Sequence, residues 1–330
     1  VCRILQSLGF GCREEGDDYR VIIPPHRSAR DISIPRDIVE EVARIYGYDN
    51  INPAMPDIEM RPYVFNGESR KQYKIRRILS QAKGFAETHT YGWYDDAWLK
   101  RIHYDPGETF RVSNPAAENC SRMRRDLLPN LFALVEMNAV HRDYFSLYEI
   151  GNVFIPAPGG CRQVVHVGGF SYQSAKRGEL QDLFMSVKGA VEEIIQITNS
   201  GQAEFTQSKD GANSWITPGA FLDVSANGTP IGQIGYISGK MLDIFEKGSQ
   251  IAWFELDADA LRGPAFPEPA YFDIPVYPGS WMDFSILADE SSVFADLNET
   301  IGSFSHPILK KVKYLYRYMG KGLPDGKTCY

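Results

Sequence analysis

"RDISIPRDIVEEVARIYGYDNI", Arg30 to Ile51, places four carboxylates, Asp31, Asp37, Glu40 and Glu41, within its first twelve residues. Pro35 suits the first turn of a helix, where its missing N–H would be unpaired in any case, and Gly47 suits the helix end. Between them Ile38, Val39, Val42, Ile45 and Tyr46 recur at helical spacing and form one apolar face. Asp37, Glu40, Glu41 and Arg44 fall at i, i+3, i+4 and i+7 and share the other face. Two accounts fit the acids. In the first they are solvated, favoured by the helix dipole, with Glu40 pairing to Arg44. In the second, three like charges on one face need a cation among them, and Asp31 adds a fourth oxygen donor from the extended segment before the helix. Magnesium takes oxygen ligands and keeps several waters, so a few carboxylates suffice. Spacing alone favours the solvated helix.

Working outward, Val1 to Leu8 reads as the end of a helix stopped by Gly9, and "YRVIIPP" (19–25) reads as a strand. The 330 residues, 43% hydrophobic, suit a globular chain of two or three domains. No run of about 18 apolar residues could span a bilayer. The start, "VCRILQSLGF", lacks a signal peptide's apolar core and cleavage site, so a cytoplasmic protein is expected. Cys2, Cys12, Cys120, Cys161 and Cys329 form no C-x-x-C pair and read as reduced, mostly buried thiols.

A net charge of -7 argues against wholesale coating of nucleic acid but not against a local basic patch. Between Ser305 and Tyr330 the chain carries Lys310, Lys311, Lys313, Arg317, Lys321 and Lys327 against the single acid Asp325, with Tyr314, Tyr316 and Tyr318 interleaved. This reads either as an edge strand whose lysines deter aggregation, or as an RNA-binding strand whose cations meet phosphates and whose rings stack on bases.

Two proline-rich stretches, Asn52 to Ser69 and Arg262 to Ser280, divide the chain into units 1–62, 63–263 and 264–330. There is no internal repeat. "GQIGYISGKM" (232–241) fails as a phosphate loop, because Gly235 lies one residue too close to Gly239-Lys240 and Met241 replaces the Ser or Thr that would hold magnesium. With "ANG" before it, this stretch reads as strand, turn and strand. His26, His89, His103, His141, His166 and His306 form no H-E-x-x-H pair.

The opening stretch closely resembles the signature of a winged-helix-like domain in the β subunit of phenylalanine–tRNA ligase (phenylalanyl-tRNA synthetase), bacterial type. The resemblance covers nearly all of this chain but only the C-terminal portion of a full β subunit. It implies that Asp31, Asp37, Glu40 and Glu41 bind magnesium. "VSNPAAENCSRMRRDLLPNLFALVEMNA" (112–139), "FSLYEIGNVF" (145–154), "LFMSVKGAVEEII" (183–195) and "GTPIGQIGYISGKMLDIFEKGSQIAWFELDADAL" (228–261) resemble the family's further blocks in the same order. The implied middle domain is a class II aminoacyl-tRNA synthetase-like antiparallel sheet flanked by helices. An active class II site carries R-x-E in its second motif, whose arginine holds ATP phosphates. Here the strand reads Leu147-Tyr148-Glu149, and no arginine-bearing third motif follows at "AWFELDADAL". The domain is therefore expected to be a silent copy with no catalytic or cofactor-binding residues, and Glu149 is expected to be structural.

The third unit resembles the opening β-α-β of the family's ferredoxin-fold anticodon-binding domain, with "WMDFSILA" (281–288), "VFADLNETIGSF" (293–304) and "LKKVKYLYRYMG" (309–320) as strand, helix and strand. The match ends at Tyr330, before the remaining strands, which reads as a truncation or a divergent ending. The fold class expected is thus α+β: an N-terminal winged-helix-like metal-binding domain, a synthetase core-like domain and a partial ferredoxin-like domain. The resemblance implies a non-catalytic role beside an α subunit in an α₂β₂ tetramer, where the α subunit binds ATP and attaches phenylalanine to tRNA(Phe). The other readings are a stand-alone RNA-binding or regulatory relative without a synthetase partner, and an interface module whose acids pair with basic side chains.

Overall fold

Gly9 ends the first helix, α1 (Cys2–Ser7), and the chain turns into a two-stranded antiparallel hairpin of β1 (Gly11–Glu15) and β2 (Asp18–Ile22). The computed structural model describes residues 1–28, 31–61, 66–175, 177–208, 214–216, 219–237, 239–261, 271, 273–292, 294–304 and 306–330. A single helical turn, α2 (Pro25–Ser28), precedes α3 (Pro35–Tyr46), which begins at its proline and stops at Gly47 as its sequence predicts. Gly47 has φ of 92°, a backbone region that a side chain would strain. Leu5, Phe10, Cys12 and Ile32 form a small core, with Ile38 and Val42 half-buried against it.

Two expectations for this unit are corrected. Cys2 and Cys12 are joined in a disulfide, because the turn at Gly9 folds α1 back on β1 and brings their Cα atoms to 5.2 Å. Cys120 and Cys329 are half-buried and Cys161 is exposed, so the remaining thiols are not mostly buried either. On α3 the polar face holds the buried residue, Glu41, while Val39, Ile45 and Tyr46 of the apolar face are exposed.

The middle unit opens with α4 (Gly67–Arg77), whose Asn66 cap accepts the Glu68 N–H at 3.0 Å. A wide helical turn (Ile78–Ala82) leads into β3 (Ala86–Glu87), α5 (Asp96–Arg101) and α6 (Leu128–Ala139). Then come β4 (Tyr144–Ala157), β5 (Gly160–Gln173), α7 (Leu180–Ile197), β6 (Ala203–Gln207), β7 (Phe221–Ala226), β8 (Thr229–Tyr236) and β9 (Gln250–Asp257). The strands form one seven-stranded sheet in the order β3-β4-β5-β9-β8-β7-β6. Only β3 pairs in parallel, with β4, so the sheet is mixed rather than antiparallel throughout. The short β3 reaches β4 from a loop after α4, a connection that residue patterning does not reveal. Asn227 and Gly228, with φ of 49° and 71°, make the tight turn of the expected β7–β8 hairpin.

Each sheet face carries its own core. On one, Val187, Val191 and Ile194 of α7 and Ile75 of α4 pack with Val167, Phe254 and Leu256. On the other, Leu131, Phe132 and Val135 of α6 pack with Phe170, Tyr172 and Trp253. Burying such side chains contributes about 1.5–3 kcal/mol each. Lys71 of α4, a residue type normally solvated, is buried and donates to the Ala258 carbonyl at 2.6 Å, tying the helix to the end of β9.

In the third unit the expected first strand shortens to β10 (Leu287–Asp289), followed by α8 (Phe294–Gly302) close to its expected place. β10 pairs antiparallel with β11 (Lys327–Cys329). The expected strand over 309–320 is absent: its residues are exposed, and only Tyr318 makes a bridge, to Cys329. Among the described residues no helix is long and apolar enough to cross a membrane.

Candidate functional site

The four acids of the opening stretch meet arginines and backbone N–H groups. Arg27 reaches Asp31 with Nε and Glu41 with Nη2, the latter at 2.9 Å, while Arg44 meets the other Glu41 oxygen at 2.8 Å. Arg27 itself lies over the Phe10 ring at 5.5 Å. These hydrogen bonds, Arg27 first and Arg44 second, hold the Glu41 carboxyl below its ordinary pKa. Asp37 reaches back to accept from Ser33 N at 2.7 Å and Ile34 N at 2.9 Å, capping the helix start. Those two backbone donors, Ile34 the larger, hold its pKa down. Glu40 is exposed. The structure thus distributes the four acids among different partners, and among the described residues no three His, Cys, Asp or Glu side chains form a group that could hold a metal. As arranged, these residues do not fit a magnesium ion, since the space between Asp31 and Glu41 is taken by a guanidinium.

Val39 and Tyr46 of α3 line a groove of about 840 Å³ with Tyr19, Val21 and Ile34. In the third unit Lys310, Lys311, Lys313 and Lys321 are exposed. Lys327 pairs with Asp289 at 2.6 Å, and Arg317 donates to Thr328 Oγ1 at 3.0 Å and the Glu290 carbonyl at 2.7 Å. The basic residues are therefore not one surface set: two of the six hold the β10–β11 pairing together.

In the middle unit, Glu149 forms an ion pair with Arg124 at 2.8 Å, with both side chains almost wholly buried. Its second oxygen accepts Thr90 N at 3.1 Å and Thr90 Oγ1 at 2.7 Å. Arg124 also donates to the Asn152 carbonyl and to Thr90 Oγ1. The groups that hold the Glu149 carboxylate, Arg124 and Thr90, both belong to this unit.

A cavity of about 820 Å³ opens on the α6 face of the sheet, lined by Asp126, His166, Asp223, Trp253, Glu255 and Asp257 among others. Glu255 accepts Leu127 N at 3.0 Å and Leu128 N at 3.2 Å, capping the start of α6, and meets His166 Nδ1 at 2.7 Å. Burial pulls the His166 pKa down, but its hydrogen bond to Glu255 and the charges of Glu255, Asp257 and Asp126 outweigh this and leave it raised. Tyr104 donates its hydroxyl to Asp126 Oδ2 at 2.6 Å. Burial, and then the charge of Glu255, push the Asp126 carboxyl up to about 7. Sequence reading misses this group because its members come from one loop and two strands. His166 alone carries a visible signal, as a histidine, and no motif spacing joins it to Asp126 or Glu255.

Residues 51–258 match the family described as the phenylalanyl tRNA synthetase beta chain CLM domain, and residues 1–48 match the tRNA synthetase B5 domain. The chain is 32% identical over 346 residues to a phenylalanine–tRNA ligase beta subunit of Bacillus licheniformis, covering 99% of this chain and 41% of that protein. It is 28% identical over 331 residues to the beta subunit of Solibacter usitatus, with the same coverage of 99% and 41%. The chain thus spans about two fifths of the length of these relatives. Among solved structures, the pyrrolysyl-tRNA synthetase of Desulfitobacterium hafniense aligns over 59% of this chain and 67% of its own, at 12% identity and a TM-score of 0.47.

Proposed function

The chain belongs to the phenylalanyl-tRNA synthetase β-chain family, and we propose that it is a non-catalytic scaffold within a phenylalanine–tRNA ligase. In this reading an α subunit binds ATP and attaches phenylalanine to tRNA(Phe), while this chain supplies subunit contacts and part of the tRNA surface. One observation carries the silent role. The cavity on the α6 face is walled by Asp126, Glu204, Asp223, Glu255 and Asp257, with no Lys or Arg among its described lining residues. A triphosphate would meet five carboxylates there, and the one histidine, His166, is already hydrogen-bonded to Glu255. Arg124, a buried cation of the loop before α6, is already held by Glu149.

Contact with a partner subunit is supported by exposed apolar surface. Val39 and Tyr46 of α3 are 65% and 54% exposed, and Tyr277 and Trp281 are 83% and 78% exposed, beyond what an isolated surface normally leaves to water. RNA contact is supported by the exposed Lys310, Lys311, Lys313 and Lys321, which can neutralise phosphates. Magnesium binding by Asp31, Asp37, Glu40 and Glu41 rests on the family resemblance alone and requires Arg27 to give way.

The test is ATP–pyrophosphate exchange with phenylalanine, beside light scattering. The chain alone is expected to give no exchange, and mixing it with a phenylalanine–tRNA ligase α subunit is expected to give a larger species. Exchange by the chain alone would overturn the silent role; no complex in the mixture would overturn the scaffold role.

A further inference from the structure

We propose that the disulfide between Cys2 and Cys12 is a redox latch on the apolar groove beside α3. Oxidised, it holds α1 against β1; reduced by a small thiol, it releases α1 and with it one wall of the groove. The inference concerns this chain's own fold and stands or falls separately from the assembly reading above.

Three elements wall the groove. Val1 and Leu5 line it from the α1 side, Tyr19 and Val21 from β2, and Val39 and Tyr46 from α3. The first wall has the slightest support. Leu5 is the α1 residue that is fully buried, and the core it enters has Phe10, Cys12 and Ile32 as its other buried members. Phe10 N donates to the Leu5 carbonyl at 3.0 Å and Gln6 Nε2 to the Cys12 carbonyl at 3.2 Å, both in the half of α1 nearest the Gly9 turn. The disulfide ties down the other half, because Cys2 lies one helical turn before Leu5 and its Cα is 5.2 Å from that of Cys12. With 10 residues between its partners, such a bond shifts the balance between closed and open chain on the order of a hundredfold by loop-closure entropy. A core of four residues leaves α1 dependent on a contribution of that size.

The exchange is balanced by glutathione. Cys2 is half-buried and Cys12 is buried, so attack falls on the Cys2 side. A glutathione thiolate bonds to Cys2 Sγ, the protein S–S bond breaks, and Cys12 leaves as a thiolate that takes a proton from water. A second glutathione thiolate attacks the glutathione sulfur of this mixed disulfide, Cys2 leaves and is protonated, and glutathione disulfide departs. The chain gains two electrons and two protons, and glutathione disulfide reverses both steps.

The experiment follows amide exchange by NMR in the 330-residue chain under excess glutathione disulfide, under excess reduced glutathione, and after return to the disulfide. The amides of Leu8 and Phe10, which donate to the Ile4 and Leu5 carbonyls, are the reporters, and that of Phe170 in β5 is the reference. Reduction is expected to speed the reporters on the order of a hundredfold, to leave the reference unchanged, and to shift the Val39 methyl resonances; re-oxidation is expected to restore all three. Cys2→Ser, at the more exposed partner, is expected to exchange fast under both conditions. The proposal is overturned by reporters indifferent to reduction, by Val39 methyls that do not move, by a Cys2→Ser chain as slow as the oxidised one, by a bond that glutathione neither opens nor re-forms, or by a reference that speeds equally.

Discussion

Replacing Arg124 with Met removes one half of an ion pair whose side chains are 4% and 2% exposed. Glu149 then keeps only Thr90 N and Thr90 Oγ1, and its other oxygen is left buried and charged. Stranding a buried charge in this way costs about 3–5 kcal/mol. For a unit of about 200 residues each kcal/mol moves the melting temperature by roughly 2–4 °C, so a fall of roughly 6–20 °C is expected. Glu149→Gln should cost less, because the guanidinium retains the Asn152 carbonyl and the Thr90 hydroxyl as acceptors. Replacing both residues with Met should recover most of the loss, since a well-packed apolar pair avoids the desolvation of two ions. Gly151→Ala should mimic the single change, as a Cβ there would collide with both side chains. Urea titration followed by the fluorescence of Trp93, Trp215 and Trp253 reads all four variants. An Arg124→Met chain that loses less than about 1 kcal/mol would refute the reasoning, because that is the range of solvated pairs.

Asp126 should make stability depend on pH. Its pKa is raised in the folded chain from 3.8 to about 7, so the folded state holds the proton more tightly than the unfolded one. The resulting stabilisation is complete below the unfolded value and is lost as pH rises through about 7. Asp126→Asn should flatten that slope, as urea midpoints between pH 5 and about 8 would reveal. At the N-terminal unit, Arg27→Ala should loosen the packing of α3 and lower its resistance to urea, since Glu41 loses one of its two arginine partners. Added magnesium should leave the melting temperature of the unmodified chain unchanged. A rise with magnesium that Asp31→Asn and Glu41→Gln abolish would restore the metal site. Thiol titration of the native, non-reduced chain should find three reactive groups, Cys120, Cys161 and Cys329, and five after reduction and unfolding.

Local signals in the sequence translated well where one short segment determined its own shape. Pro35 and Gly47 bracket α3, and Asn227-Gly228 turns β7 into β8, because those backbones need particular φ values. The "FSLYEIGNVF" and "AWFELD" runs became β4 and β9, and "LFMSVKGAVEEII" became the body of α7. The failures share a cause: each depends on which distant residue arrives alongside. The burial of Glu41 on the polar face of α3 follows from Arg27, which anchors it from fourteen residues away. Lys313 and Tyr314 to Tyr316 alternate like an edge strand, yet none of them pairs with a neighbouring strand. The cavity group required Asp126, His166 and Glu255 to meet across three elements, and no spacing rule joins them.

The two longest strands carry a consequence of their own. β4 and β5 pair along all fourteen residues of each, from Tyr144 with Gln173 to Ala157 with Gly160. β9, however, borders β5 only from His166 to Gln173, and β3 borders β4 only at Leu147 and Tyr148. The outer part of the hairpin, beyond Ile155 and Arg162, is a two-stranded ribbon without a third strand, and such a ribbon is marginal in water. Its amides should exchange with solvent through local fraying, while those around Phe170 wait for the whole sheet to open. The turn at Pro158-Gly159-Gly160 is then the place where this sheet can accept added residues, a peptide tag or a reporter loop, without its core registering the change.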